Sequence, residues 1–133
     1  MLAPAEGWQD ISRVKGGEKM TRRWIKLYCY ERLHGSVNFQ LTEAEQSIWD
    51  KLLCLAGLCS KEGIISDNSE RAYPHSWMIH ELHTTEKLFE STLKKCFEEG
   101  RLSEDEQGLH ITNWNRYQSE YDRQKKYKQA KET

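Results

Sequence analysis

Apolar residues between positions 76 and 111 follow a helical period first and a strand period afterwards. The helical part predicts one helix over Ser76–His83 and a second over Glu86–Glu99. The apolar face of the second helix consists of Leu88, Phe89, Leu93, Cys96 and Phe97. After Gly100, a natural C-terminal stop, Arg101-Leu102 and Leu109–Ile111 predict two strands of a hairpin. The turn between them is Asp105–Gly108.

Two short helices, a brief turn and a β-ribbon in this order are typical of a winged helix-turn-helix. Thr84 or Thr85 can cap the second helix, and Gly63–Ser66 is a candidate third strand. We therefore predict a mainly helical α+β fold, a winged helix-turn-helix with a small two- or three-stranded β-wing. The fold alone does not decide between DNA binding and a role as a protein-interaction module.

The strongest single helix pattern lies upstream, at about Thr42–Leu58, where Thr42 and Glu45 form a capping box. Trp24–Tyr28 fits either a strand or the opening of a helix, and His34–Ser36 marks a break. We divide the chain into a flexible leader (1–21), a winged-helix domain (22–118) and a basic tail or linker (119–133). The side chains expected to be buried together are Trp49, Leu53, Leu88, Leu93, Phe97 and Ile111.

Composition suits one ordinary domain, because the 133 residues are 37% hydrophobic and 31% charged. The longest apolar run, Leu52–Cys59, is far below the roughly 18 residues of a membrane helix. The N-terminus lacks the pattern of a signal peptide, so we expect a cytoplasmic protein with no membrane partner.

Four cysteines raise the alternatives of disulfides and zinc. Without a secretory signal, disulfides are not expected. Zinc would use Cys54 and Cys59 with His80 and His83, but paired CxxC spacing does not occur, and Cys54 and Cys96 are expected on apolar faces. We therefore predict no metal and no cofactor. Phosphate-binding glycine loops, nucleophile elbows and HExxH helices do not occur either, and we predict that the protein is not an enzyme.

Positive charge is concentrated at the C-terminal end, although the net charge of the chain is only −1. Residues 116–131 contain six basic and two acidic side chains. On the predicted second helix, Lys87, Ser91 and Lys94 have the spacing of one outward stripe, and Lys95 flanks it. A smaller basic group consists of Arg22, Arg23 and Lys26. We therefore predict DNA-contacting residues on this helix, at the wing entry, in the C-terminal basic cluster and in this smaller group. They are Lys87, Ser91, Lys94, Lys95, Arg101, Arg22, Arg23, Arg116, Arg123, Lys125, Lys126 and Lys128.

With these elements placed, the sequence resembles the N-terminal domain of phage replisome organiser proteins, the DnaD-like replication initiation group. The resemblance covers about Arg22–Lys131 and rests on the order of four short patterns. These are Arg23–Tyr28, the Leu41-Thr42 capped helix with Trp49–Leu53, Gly100–Leu102, and Ile111–Trp114 running into Tyr117–Ser119 and Arg123–Tyr127. The resemblance implies a phage or prophage winged helix that helps to load the replication machinery at an origin, in the cytoplasm of a bacterial host cell. Its partners would be double-stranded origin DNA and replication initiator or helicase-loading proteins.

Two observations keep a different function open. Glu90 and Glu98 share the second helix with the lysines, and the wing tip carries Glu104, Asp105 and Glu106, which would repel phosphate. The wing tip therefore either faces away from DNA or contacts a protein. The alternatives are a winged helix that joins copies of itself or an initiator in replisome assembly, and a transcriptional regulator. Trp114 and Tyr117 are expected to lie in the core or to pack under the tail rather than to stack on bases.

Overall fold

The structure is a computed structural model that describes residues 23–118, which form six helices and three strands. The leader and the tail predicted from the sequence lie outside these residues. In chain order the elements are α1 (Cys29–His34), α2 (Val37–Gln40), α3 (Glu43–Cys59), β1 (Ile64–Ile65), α4 (His75–Glu81), α5 (Glu86–Glu98), β2 (Leu102–Asp105), β3 (Gly108–Ile111) and α6 (Trp114–Gln118).

The helix predicted over Thr42–Leu58 is confirmed as α3. Thr42 is its N-cap: the hydroxyl of Thr42 accepts a hydrogen bond from the Glu45 amide, and the Glu45 carboxylate accepts one from the Thr42 amide. Ser60, in a left-handed conformation with φ 55°, ends the helix. The helix pair predicted at Ser76 and Glu86 is confirmed as α4 and α5, with bounds shifted by one or two residues.

A three-stranded antiparallel sheet has the order β1-β3-β2. β2 and β3 form the predicted hairpin, in which Leu102 pairs with Ile111 and Asp105 with Gly108. Ile65 of β1 pairs with Leu109 of β3, so the candidate third strand is confirmed. It lies beside β3, which is the central strand of the sheet. The architecture is α+β with a small antiparallel sheet, and it is compatible with a winged helix.

The core lies between α3, α5 and the inner face of the sheet. Its buried hydrophobic side chains include Ile48, Leu52, Ile65, Met78, Phe89, Leu93, Cys96, Leu109 and Ile111. The burial predicted for Leu93 and Ile111 is confirmed, whereas Trp49, Leu53 and Leu88 are only partly buried at its edge. The prediction for Phe97 is wrong, because its side chain is 37% exposed. Phe97 follows the buried Cys96 by one residue, which turns it about 100° around the helix axis.

Residues 23–40, the N-terminal arm, pack differently from the rest. Residues 23–28 have no regular secondary structure, so the strand considered for Trp24–Tyr28 does not form and the helix begins at Cys29. Val37 is the one buried residue of the arm, and α1 buries none. The break at His34–Ser36 is confirmed, but the sequence patterns did not predict α2, which follows it.

Across residues 23–118, no helix is both long and apolar enough to cross a bilayer.

Candidate nucleic-acid interface

A tight connection sets the direction of α5 relative to α4. His83 has a left-handed φ of 56°, and the Thr84 amide donates a hydrogen bond to the Ile79 carbonyl at 3.1 Å. The chain is thereby turned just before Thr85, whose hydroxyl accepts a hydrogen bond from the Leu88 amide and caps α5. Lys51 of α3 donates to the Leu82 carbonyl, which satisfies one of the open carbonyls at the end of α4.

The outer face of α5 is polar and charged. Lys87, Glu90 and Lys94 are exposed, and they occur at helical spacing on the side opposite Phe89 and Cys96, which are fully buried. No ion pair or side-chain hydrogen bond joins Lys87 or Lys94 to another residue within positions 23–118. Their ammonium groups are therefore available to an external anion.

Ser91 and Lys95 do not belong to this outer face, so the prediction that they point outward is wrong. The Ser91 hydroxyl donates to Glu45 Oε2 at 2.9 Å, and Lys95 Nζ donates to Glu45 Oε1 at 2.8 Å. Glu45 comes from α3 and is only 4% exposed. A buried carboxylate needs donors, and the side of α5 that faces α3 supplies them. The two residues join α5 to α3, and the side chain of Lys95 remains 39% exposed.

The environment of Glu45 favours its charged form. Burial raises the pKa of this carboxyl, but the hydrogen bonds from Lys95, Thr42 and Ser91 together with the positive charge of Lys95 outweigh it and lower the pKa to about 2. Glu45 thus has two functions, in the capping box of α3 and in the contact with α5. The sequence signal for the first was visible, and the second could not be deduced from it.

Arg101 is engaged within the molecule. Its guanidinium donates to the Ser36 hydroxyl and the Gln40 side-chain carbonyl and lies 5.8 Å from the centre of a Trp49 ring. Arg101 thus reaches from the body of the protein (residues 41–118) to the arm, and Arg32 reaches from the arm to the body, where it donates hydrogen bonds to Gln46 and Asp50 of α3. Sequence reasoning assigned Arg101 to DNA and did not single out Arg32. In the structure both arginines attach the arm to the rest of the protein.

The three wing acids do not form one uniform charged surface. His75 Nε2 lies 2.7 Å from Glu104 Oε2, and His110 Nε2 lies 2.9 Å from Asp105 Oδ1. The hydrogen bond from His110, with further bonds from backbone amides, lowers the pKa of Asp105. Two of the three carboxylates are therefore paired with imidazoles, one of which belongs to the first turn of α4.

The other predicted DNA contacts are dispersed or lie outside the described residues. Arg23 and Arg116 are exposed, and Arg116 lies 5.7 Å from the centre of the Tyr117 ring. Arg22, Arg123, Lys125, Lys126 and Lys128 are outside the described residues. Trp114 is buried in the core and Tyr117 is half-buried, which agrees with the packing function predicted for them.

The cysteines are free thiols. Cys96 is fully buried, and burial raises its pKa to about 11. The apolar position expected for Cys54 is wrong, because this residue is exposed one position before the buried Leu55. In the part of the chain that the structure describes, no three histidine, cysteine or carboxylate side chains come together as a metal site.

Two of the four patterns behind the resemblance meet in space. The side-chain amide of Gln118 accepts from the Lys26 amide at 2.8 Å and donates to the Lys26 carbonyl at 3.0 Å. Next to this contact the rings of Tyr28 and Tyr117 lie 5.1 Å apart. Gln118 is buried, so it holds the extended arm much as a neighbouring strand would.

Comparison of the chain with models of protein families, with curated proteins and with solved structures gave no match.

Proposed function

We propose that this domain is a winged helix of a phage or prophage replication initiation protein, a replisome organiser, and that it binds double-stranded DNA. α5 would be the recognition helix in the major groove. The order of elements, with β3 between β1 and β2, supports the winged-helix assignment. Its connection with replication and with initiator or helicase-loading partners depends on the sequence resemblance.

One observation carries the DNA-binding proposal. The second helix of the pair buries Phe89, Leu93 and Cys96 and exposes Lys87 and Lys94 on the other side. Such a helix can approach DNA without disturbing the core, and its ammonium groups can reach phosphates or base edges. Ser91, Lys95 and Arg101 are left out of this interface, because they bind Glu45 and α2.

A charge-reversal experiment tests the proposal. In the double variant Lys87→Glu/Lys94→Glu, affinity for an origin-derived duplex should fall sharply, and the preference over a scrambled duplex should fall with it. Titrations at two salt concentrations measure this effect, since phosphate contacts make affinity decrease steeply with salt. Circular dichroism should show an unchanged fold, because neither lysine supports the core.

The matched control is Lys61→Glu/Arg71→Glu, which changes the overall charge equally but lies in the loops that flank β1. It should weaken binding much less than the α5 variant. A folded α5 double variant that binds as well as the unaltered protein would contradict the groove assignment.

Exposed apolar side chains favour a second candidate function, protein interaction. Tyr30, Leu33 and Phe39 of the N-terminal arm are 75%, 70% and 83% exposed. Apolar side chains clustered on one exposed segment are a feature of protein-binding surfaces. A stable dimer in analytical ultracentrifugation, combined with no DNA binding at low salt, would favour this function over the first.

A further inference from the structure

We propose that Glu90 is a specificity-determining residue of α5 and that it selects a cytosine in the major groove. The inference rests on the proposed DNA binding and extends it from affinity to base choice.

Glu86, Glu90 and Glu98 are the exposed acidic side chains of α5, and of these three Glu90 is the one that lies between Lys87 and Lys94. Glu45, Asp50 and Glu104 are bonded to Lys95, Arg32 and His75 respectively. Glu90 is exposed, and its carboxylate makes no hydrogen bond or ion pair with any other residue in the described part of the chain. It remains unpaired although Lys87 and Lys94 lie three residues before and four residues after it.

The positions of the three residues around the helix suit this arrangement. Lys87 and Lys94 are seven residues apart, which is about 10 Å along the helix axis and only about 20° around it. A recognition helix lies along the major groove, so the two lysines can bind phosphates at two points of one groove wall. Glu90 is rotated by roughly 50° from them around the axis and can then face the base edges. The positive charge of the lysines also offsets the repulsion between the Glu90 carboxylate and the phosphates.

The chemistry of a carboxylate narrows the base that it can select. An ionised glutamate only accepts hydrogen bonds. Guanine presents two acceptors in the major groove, and thymine presents an acceptor and a methyl group. Adenine presents a donor next to an acceptor, which repels the second carboxylate oxygen. Cytosine presents the N4 amino donor, and it is the base that pairs best with a glutamate.

The test is selection from a randomised duplex library by the unaltered domain and by Glu90→Gln. We expect the unaltered domain to enrich cytosine at one position by about tenfold or more over the other bases. A glutamine amide donates as well as accepts and suits adenine, so Glu90→Gln should change that position to adenine or lose the preference there. Circular dichroism confirms the fold, since glutamate and glutamine have similar helix propensities.

Glu98→Gln is the matched control. It removes the same charge from another exposed position of α5, eight residues further along. It should strengthen binding to all duplexes slightly and leave the selected bases unchanged.

The outcomes separate the inference from the function on which it depends. If the domain and Glu90→Gln select the same bases, or if the domain binds all duplexes equally, the inference is overturned while DNA binding stands. If the domain enriches no duplex and binds none in direct titration, both fail.

Discussion

The body of the protein (residues 41–118) and the N-terminal arm are stabilised by different kinds of contact. In the body, α3, α5 and the sheet surround fully buried side chains such as Leu52, Phe89 and Leu109. In the arm, α1 buries nothing, and only Val37 and Ile25 pack against the core. The other contacts of the arm with the body include hydrogen bonds made by Arg32, Arg101 and Gln118.

This difference indicates that the arm can detach from the body without unfolding it. Apolar burial contributes free energy in proportion to area, at about 25 cal/mol per Å², so the body behaves as one cooperative unit. A hydrogen bond has a net contribution of only about 1 kcal/mol, and the arm adds a few of them to the small apolar contact made by Val37 and Ile25. We therefore expect the arm to open locally while the body stays folded.

The largest effect is expected in the body, from Leu93→Ala. Leu93 is buried on α5, and removing its side chain leaves a cavity that should lower the free energy of unfolding by about 2–5 kcal/mol. Phe97→Ala, on the same helix but partly exposed, should cost clearly less although it removes more atoms. Chemical denaturation measures both changes. Equal losses would mean that the burial difference between the two residues is not real.

The second effect concerns the charged contact inside the body. The folded-state pKa of Glu45 is lowered from its ordinary 4.5 to about 2, so its charged form stabilises the fold above pH 4.5. That stabilisation, roughly 3 kcal/mol, should be lost as the pH falls from about 4.5 to 2. In Glu45→Gln the free energy of unfolding at neutral pH should be lower and its decrease over this window smaller.

The control for this effect is Glu98→Gln, an exposed position on α5. It should retain the full acid sensitivity in denaturation series at successive pH values. A Glu45→Gln protein with the same pH profile as the unaltered protein would show that Glu45 is not the responsible group.

The smallest effect is expected at the contact between arm and body. Gln118→Ala removes both hydrogen bonds to the Lys26 backbone, and it should lower global stability by about 1–2 kcal/mol. Hydrogen exchange at the Lys26 amide should nevertheless become faster, while exchange within α5 stays unchanged. Gln118→Glu keeps the acceptor but places a second carboxylate oxygen against the Lys26 carbonyl, so exchange at the Lys26 amide should be at least as fast as in Gln118→Ala. Faster exchange throughout α5 would contradict the separation of arm and body.

Local signals in the sequence were sufficient to predict much of the body. The capping box at Thr42, the turn at Thr84-Thr85 and the alternation at Leu109–Ile111 all involve residues close together in the chain, and the structure contains each feature. The candidate third strand, Gly63–Ser66, could also be predicted, because its short apolar run is flanked by turn residues, and the structure contains it as β1.

The candidate site could be predicted only in part, because the polarity of a residue does not tell which neighbour it faces. Ser91 and Lys95 are polar residues on a helix, but the buried carboxylate of Glu45, far away in sequence, directs them inward. Arg101 was counted as a free cation for the same reason, although it donates hydrogen bonds to Ser36 and Gln40. Lys87 and Lys94, which have no such distant partner within residues 23–118, are exposed as predicted.

The central position of β3 has a consequence for the order of folding. β2 and β3 are neighbours in the chain, and a hairpin of this kind forms in about 1–10 μs. Ile65 of β1, by contrast, pairs with Leu109 across a segment that includes both α4 and α5. Closing this long loop lowers the conformational entropy of the chain, and this loss is offset only when the contacts of the complete sheet form. The pairing of β1 with β3 should therefore form late. On a ribosome, β1 would emerge well before the strand that it pairs with, and its apolar residues would remain unpaired until β3 is made.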